Sequence, residues 1–366
     1  MAHFVLERTL KTPVQPIRGL AFGGENPVLA ALTDDGDVRV WNTATGDLLH
    51  VIPLVPHPRE VSCLAFSPDG KWVVVGEAFT KMEVFTAKLA LLDVLAGREV
   101  RTLATHHWQV ESLDFSRDGK FLVSSDWDRK VRLMRFPSGE QVREFQCPSK
   151  PHGVAISPDA QLIASAGSGG TVTLWYTATG SMFRRLTGQT GDVLSVAFSP
   201  DSRRLVSAGT DGSVRIWDVS TGQCLHTLGG HAGPVMAAVF SPDGRFVVSG
   251  GADRTTRLWD AATGQSLETL GALSQVWQVA FSSDGKYLAA GGADGTINVW
   301  HSESRISRFD VDRSDLLTRE LTEPRVPIGP PNSWIMVSLK CRPGRVNSQP
   351  CYLWSSNVSK KAMPDL

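Results

Sequence analysis

The chain has 366 residues, with 37 basic and 37 acidic side chains, 34 Gly, 21 Pro, 11 Trp and only 3 Tyr. It is long enough for a substantial core, and its Gly and Pro content is well below the quarter or more of a disordered sequence. A formal charge of zero argues against a long-range field for gathering nucleic acid or anionic membrane. Five cysteines at irregular spacing (Cys63, Cys147, Cys224, Cys341, Cys351) form neither a disulfide framework nor a CxxC metal motif, which suits a reducing compartment.

In chain order, the opening MAHFVLERTL lacks the basic and long apolar regions of a signal peptide, and Phe4–Leu10 reads as a strand. From Leu20 onward one phrase recurs, as in LAFSPDGKW, VAFSPDSRR and AVFSPDGRF. Its anchors are Phe22, Phe66, Phe115, Ile156, Phe198, Phe240 and Phe281, at steps of 44, 49, 41, 42, 42 and 41 residues. A second phrase (VRVWN, MEVFT, VRLMR, VTLWY, VRIWD, TRLWD, INVWH) is anchored at Trp41, Phe85, Met134, Trp175, Trp217, Trp259 and Trp300, 19 residues after the first in all seven copies. The constant offset predicts a rigid unit, with all length variation in the connections.

Within each unit, alternation such as Val193–Phe198 predicts a first strand, SPDG a tight turn, and Phe246–Ser249 a second strand. Asp211-Gly212 or Asp294-Gly295 then turns the chain into the strand that ends at Trp. Asp47–Ile52, Arg98–Leu103, Gln141–Phe145, Gln223–Leu228 and Ser266–Leu270 supply fourth strands. Each repeat is therefore a four-stranded antiparallel meander whose two apolar faces need covering, which radial stacking provides. The second repeat is the odd one: its turn is Phe79-Thr80-Lys81, Phe85 replaces its Trp, and a longer linker, Thr86–Arg98, follows. Beyond Asp310 the pattern stops. Residues 301–366 hold 10 basic and 7 acidic side chains and several prolines, and 311–366 read as an irregular extension, partly ordered or a tail. Asn357-Val358-Ser359 is a chance glycosylation sequon.

The dipeptides Trp217-Asp218 and Trp259-Asp260, the pair Gly230-His231 and the period of 41–44 residues over most of the chain resemble the WD-repeat β-propeller family. The resemblance implies an all-β, seven-bladed propeller of four-stranded antiparallel blades over 1–310, closed by the N-terminal strand. Leu10 precedes Phe22 by 12 residues, as Leu228 precedes Phe240, which suits that strand for the last blade; Arg305–Phe309 competes for the same edge.

The resemblance also implies a structural tetrad of loop His, second-strand Ser, turn Asp and third-strand Trp. By position these are His231, Ser249, Asp253 and Trp259, with Asp35, Asp128, Asp211 and Asp294 as further turn acids. Ser124, Ser165 and Ser207 repeat the serine, and His57 and His106 the loop histidine. Ser, His and Asp invite comparison with a nucleophilic triad. However, their partial recurrence across repeats is that of a building element, and the context VVSGGAD around Ser249 lacks a nucleophile elbow. Gly167–Gly170 reads as a hairpin turn rather than a phosphate cradle, and His106-His107 lacks metal-ligand spacing. No catalytic, cofactor-binding or metal residues are assigned, and no cofactor.

Partners in this family engage the face formed by loops into first strands and by second-to-third-strand turns. Here that face carries Arg18, Glu60, Trp108, Gln109, Glu111, Trp127, Lys150, His152, Asp192, Met236 and Trp277. Aromatics with Met and Arg suit an interaction surface, although Trp127 and Trp277 equally suit packing at the channel mouth. The expected function is a non-catalytic scaffold for peptides or other proteins; the alternative is a small-molecule-binding or enzymatic propeller working near its channel. No membrane partner is expected, nucleic acid is disfavoured, and the expected location is the cytoplasm, with the nucleus left open.

Overall fold

The computed structural model describes residues 2–13, 15–24, 28–54, 61–77 and 86–304. The segment 311–366, the strand alternative Arg305–Phe309, His57, Glu60, the turn Phe79–Lys81 and Phe85 lie outside the described residues. The described residues form 28 strands in seven four-stranded antiparallel sheets. Among them no helix is long and apolar enough to cross a membrane.

Six blades are consecutive meanders: blade 1 (17–53), blade 2 (61–106), blade 3 (110–146), blade 4 (151–187), blade 5 (193–228) and blade 6 (235–271). Blade 7 takes its first three strands from Val276–Phe281, Tyr287–Gly292 and Thr296–Ser304, and its fourth from the N-terminal strand Ala2–Lys11. Phe4 and Leu10 are buried on opposite faces of that blade, one toward blade 6 and one toward blade 1. A bulge between Leu6 and Arg8 makes this possible, because a one-residue shift flips every later side chain to the other face.

The core is divided into seven apolar clusters, one in each gap between neighbouring blades. Second and third strands are almost wholly buried. Fourth strands form the rim; in blades 1, 3, 4 and 5 each has a single deeply buried anchor, Ile52, Phe145, Leu186 and Leu228.

The SPDG turns are fastened by their serine. Ser241 Oγ donates to Asp243 (2.6 Å) and accepts from Phe246 N–H (3.0 Å), while Asp243 accepts from Arg245 N–H (3.0 Å). The turn ends in the left-handed region, where Gly244 costs least; Ala160 (φ 56°) and Ser202 (φ 62°) hold the same position in blades 4 and 5.

In blade 2 the structure corrects the constant 19-residue offset. Val73 pairs with Leu92, the position that Trp occupies elsewhere, so the third strand is Ala87–Asp93 rather than MEVFT. The additional residues therefore lie between the second and third strands, not after the third. Ala87, Leu89, Ala90, Leu91 and Leu92 fill two inter-blade gaps at once, and the following turn, Asp93 to Gly97, matches Asp218 to Gly222 and Asp260 to Gly264.

A second set of bonds binds blade to blade at the rim. A basic side chain on a fourth strand donates to carbonyls of the next blade's third-to-fourth-strand turn. The pairs are Arg8 to Ala44 (2.8 Å), Arg101 to Pro137, Arg143 to Ala178 (2.7 Å), Arg184 to Ser220 (2.8 Å) and His226 to Ala262 (2.9 Å). Blade 6 reverses the polarity. No hairpin turn connects the third and fourth strands of blade 7, so the group presented there is a backbone N–H. Glu268 accepts from Phe4 N–H (3.3 Å) and pairs with His3 (2.9 Å).

Deleting residues 1–10 removes a fourth strand and opens two core gaps, so it should lower the melting temperature by well over 10 °C or abolish folding, as measured by circular dichroism. An unchanged melting temperature would show that closure does not depend on this strand.

Candidate functional site

In blade 6 the four residues of the implied tetrad lie within hydrogen-bond distance. His231 Nδ1 is 3.0 Å from Asp253 and Nε2 is 2.8 Å from Ser249 Oγ, while Trp259 Nε1 donates to Ser249 Oγ (2.9 Å). Because Ser249 accepts from Trp259, its own proton goes to Nε2, and Nδ1–H donates to Asp253. These distances match a nucleophilic triad, but Ser249 is fully buried and its oxygen is engaged by indole. The cluster offers no nucleophile to a substrate.

Other blades satisfy the same serine differently, and always from the residue 18 positions before it. In blade 5 this is Gln189, whose Oε1 accepts from Ser207 (2.7 Å), while Trp217 donates to Ser207 (2.8 Å). In blade 4 it is Cys147, whose thiol is pushed up to about 11 by burial, and Trp175 donates to Ser165 (3.0 Å). Neither Gln189 nor Cys147 is flagged by a search for His, although the fixed spacing marks both.

Blade 3 requires a correction. His106 Nδ1 meets Asp126 (3.0 Å), not the turn residue Asp128, and Ser124 lies 3.3 Å from Nε2. Asp126 sits at the end of the second strand, where blade 6 has Gly251; there its carboxylate is fully buried and also pairs with Arg132. Met134 replaces Trp, and the ion pairs of Arg132 with Asp126 and Glu144 surround His106 where blade 6 has its tetrad.

Burial holds the His231 and His106 imidazoles below the usual histidine range, despite their carboxylate partners. Burial pushes the Asp253 carboxyl up, but donation from His231, Ala232 N–H and Thr255 outweighs it and holds the group below the usual range.

The candidate face surrounds a cavity of about 150 Å³ on the ring axis, to which all seven first strands contribute. Arg18, Glu111, His152 and Met236 line it. Three contact chains extend outward from them. Arg18 makes a two-pronged pair with Asp34 (2.8 and 3.2 Å) and lies over Trp277 at 5.0 Å. Glu111 accepts from Trp127 Nε1 and pairs with Lys150 (2.8 Å), whose ammonium sits 3.6 Å over the Trp127 ring. His152 bonds Ser168 (3.0 Å) and faces Asp192 at 3.7 Å. Gln109 carbonyl accepts Trp127 N–H (3.1 Å), which places the neighbouring Trp108 beside the same group. Trp108 and Trp127 are 39% and 43% exposed, whereas Trp277 is half-buried.

Deeper in the ring, Ser112, Asp114 and Ser195 accept from Val154, Ile156 and Ala238 N–H, so that the innermost strand edges are satisfied by the preceding blade. Burial pushes the Asp114 carboxyl up to about 7, and nothing in the repeat marks this residue. Among the described residues no group of three or more His, Cys, Asp or Glu could hold a metal ion.

Comparison with known proteins gives one family description for each half of the chain. "WD domain, G-beta repeat" matches residues 4–42, 46–78 and 97–133, and "IFT122 first beta-propeller" matches 150–313. The chain is similar to human WD repeat-containing protein 36, 28% identical over 41% of this chain and 16% of that protein. It is likewise similar to Protein ROOT INITIATION DEFECTIVE 3 of Arabidopsis thaliana, 28% identical over 40% of this chain and 34% of that protein. Periodic tryptophan protein 2 homolog of Schizosaccharomyces pombe is 30% identical over 37% of this chain and 15% of its own length. These alignments span about a third or less of each relative.

His231→Ala or Asp253→Ala should destabilise the fold by about 2–4 kcal/mol, the usual cost of breaking a buried network. Both folded-state pKa values are lowered. The histidine contribution is thus complete above the unfolded value near 6.5 and is lost as pH falls below it; the aspartate contribution goes below about 3.8. His231→Gln, which reproduces the blade 5 arrangement, should keep most of the stability and flatten its decline between pH 7 and 5 in urea unfolding. An unaltered slope would show that His231 does not titrate on unfolding.

Proposed function

We propose, for a chain that belongs to the WD-repeat β-propeller family, that it is a non-catalytic scaffold binding peptides or other proteins on the loop face around its channel mouth. The supporting observation is the convergence of ten separately predicted residues onto one connected surface. Four line the cavity, and the other six join it through the Trp277–Arg18, Trp127–Lys150–Glu111 and Asp192–His152 contacts and the adjoining Trp108-Gln109. Exposed indoles ringed by paired charges have the composition of interaction hot spots. A rigid ring holds them in place, so little side-chain order is lost on binding.

The cavity speaks against the small-molecule alternative. At about 150 Å³ it falls below the several hundred Å³ that small-ligand sites enclose. What protein partners share with this geometry is area rather than depth. The printed names of the relatives give a family, not a ligand, and the partner follows from the face alone.

The double variant Trp127→Ala, Trp277→Ala should keep its melting temperature within a few degrees and lose partner affinity at least tenfold, as expected for two aromatic anchors at roughly 1–2 kcal/mol each. Affinity capture with mass spectrometry checks this. Full retention of every partner by the folded double variant would overturn the proposal.

A further inference from the structure

In six blades the second-to-third-strand turn enters the left-handed region five residues before the third-strand anchor. Gly36, Gly170, Gly212 and Gly295 occupy this position in blades 1, 4, 5 and 7, with φ between 75° and 85°. Blade 3 has Arg129 (φ 59°) and blade 6 has Arg254 (φ 64°). A side chain with a Cβ is disfavoured there, and arginine gains nothing locally that glycine lacks. Both arginines are exposed, and among the described residues neither guanidinium has a hydrogen-bond or ion-pair partner. Ala160 and Ser202 share the left-handed region, so the strain by itself marks neither arginine.

The surroundings separate the two. Arg254 follows Ala252 and Asp253. Arg129 follows Trp127 and Asp128, on the loop pair that also presents Trp108. The other charged groups of this sector are paired: Lys150 with Glu111, Lys130 with Asp128 (3.7 Å) and Glu144 (2.9 Å), and Arg132 with Asp126 and Glu144. At the tip of this sector, then, Arg129 is the one charged side chain with no ion-pair partner among the described residues, two positions from the exposed indole of Trp127.

We infer that the blade 3 sector reads an acidic segment of a protein partner, with Arg129 pairing a carboxylate and Trp108 and Trp127 receiving the apolar side chains that flank it. The inference rests on the loop-face reading above and specifies its partner. A guanidinium holds a carboxylate through two parallel N–H···O bonds, and the indole faces supply sequence-tolerant area.

The test uses the full chain as bait for selection from a displayed library of random dodecapeptides, followed by fluorescence anisotropy on the enriched peptides. Enrichment of Asp or Glu next to apolar residues is expected, with binding that weakens as salt rises. Arg129→Gly should weaken these peptides roughly tenfold or more, the loss of a charge-assisted pair. It should also raise the melting temperature, because glycine suits the turn; loss of binding therefore cannot be ascribed to loss of fold. Arg254→Gly relieves the same backbone on blade 6 and should leave binding unchanged. If the selected peptides depend on Trp127 but are not acidic, or bind Arg129→Gly as well as the parent, this inference fails and the loop-face reading stands. If no peptide is enriched, or none depends on Trp127, this inference fails, and the loop-face reading fails with it only if the folded Trp127→Ala, Trp277→Ala variant also retains every captured protein partner.

Discussion

A four-stranded sheet with two apolar faces is stable only between two others, and every other feature of this chain follows from that constraint. The seven apolar clusters lie in the gaps, so each blade contributes half of two cores and owns neither. A linear stack would end in two bare faces; a ring has none. Closure is therefore the step on which the remaining gaps depend, and it is made by Ala2–Lys11, from the far end of the chain. The rim bonds show how closely side-chain chemistry follows this topology. At five junctions a hairpin presents carbonyls and the neighbour offers a donor, and at the junction of blades 6 and 7, which presents N–H, it offers Glu268.

Inside the blades a smaller constraint repeats. The second-strand serine is buried, and its hydroxyl must be satisfied. His231, Gln189 and Cys147 meet the same position from the same distance along the chain, with different costs. Histidine recruits Asp253 and ties the turn to the strand at the expense of a titratable group. Glutamine does the local work without a proton to exchange. Blade 3 solves the problem with ions, and the buried Asp126 and Arg132 must stay paired because either left alone in the interior would be costly. Tolerance of such different solutions follows from the shared geometry, in which the strand positions are set by packing and the polar groups adapt to them.

Fold class, blade number and the closing strand were legible in the sequence, because each rests on a period that seven copies report independently. The register of blade 2 was not. Phe85 satisfies the aromatic-anchor pattern at the expected offset, whereas the actual strand, AKLALLD, carries Leu92 in place of Trp. Pattern matching favoured the aromatic residue; packing favoured a run that is apolar on both faces and is followed by an Asp–Gly turn of the shared type. Asp126 escaped for a similar reason. Its carboxylate lies two residues before the turn acid, outside the pattern, yet in space it meets the imidazole of His106 from the strand end where blade 6 has Gly251. The loop face was legible as a set of positions, since offsets from the anchors fix which residues surround the channel. Its internal wiring was not, because Arg18 with Trp277 and Glu111 with Lys150 join blades distant or adjacent in sequence through side-chain reach alone.

Support and the proposed recognition thereby fall to different atoms of the same repeat. The groups that stabilise a blade point into its gaps and vary little in what they accomplish, however much they vary in kind. The groups at the turn and at the channel mouth contribute little to packing, and there the copies diverge most. Thr210, Ala252 and Ala293 precede the turn acid in blades 5, 6 and 7, while Trp127 takes that place in blade 3. Blade 3 also gives up the Trp anchor, adds Asp126 on the strand to the turn acid Asp128 and keeps an arginine where the backbone favours glycine. Repeats that share a scaffold are expected to depart from it where something other than the scaffold is being satisfied. Such departures are tolerated because a blade clamped on both faces by neighbours does not rely on its own tetrad alone, and the ring carries blades 2 and 3, neither of which has the Trp anchor.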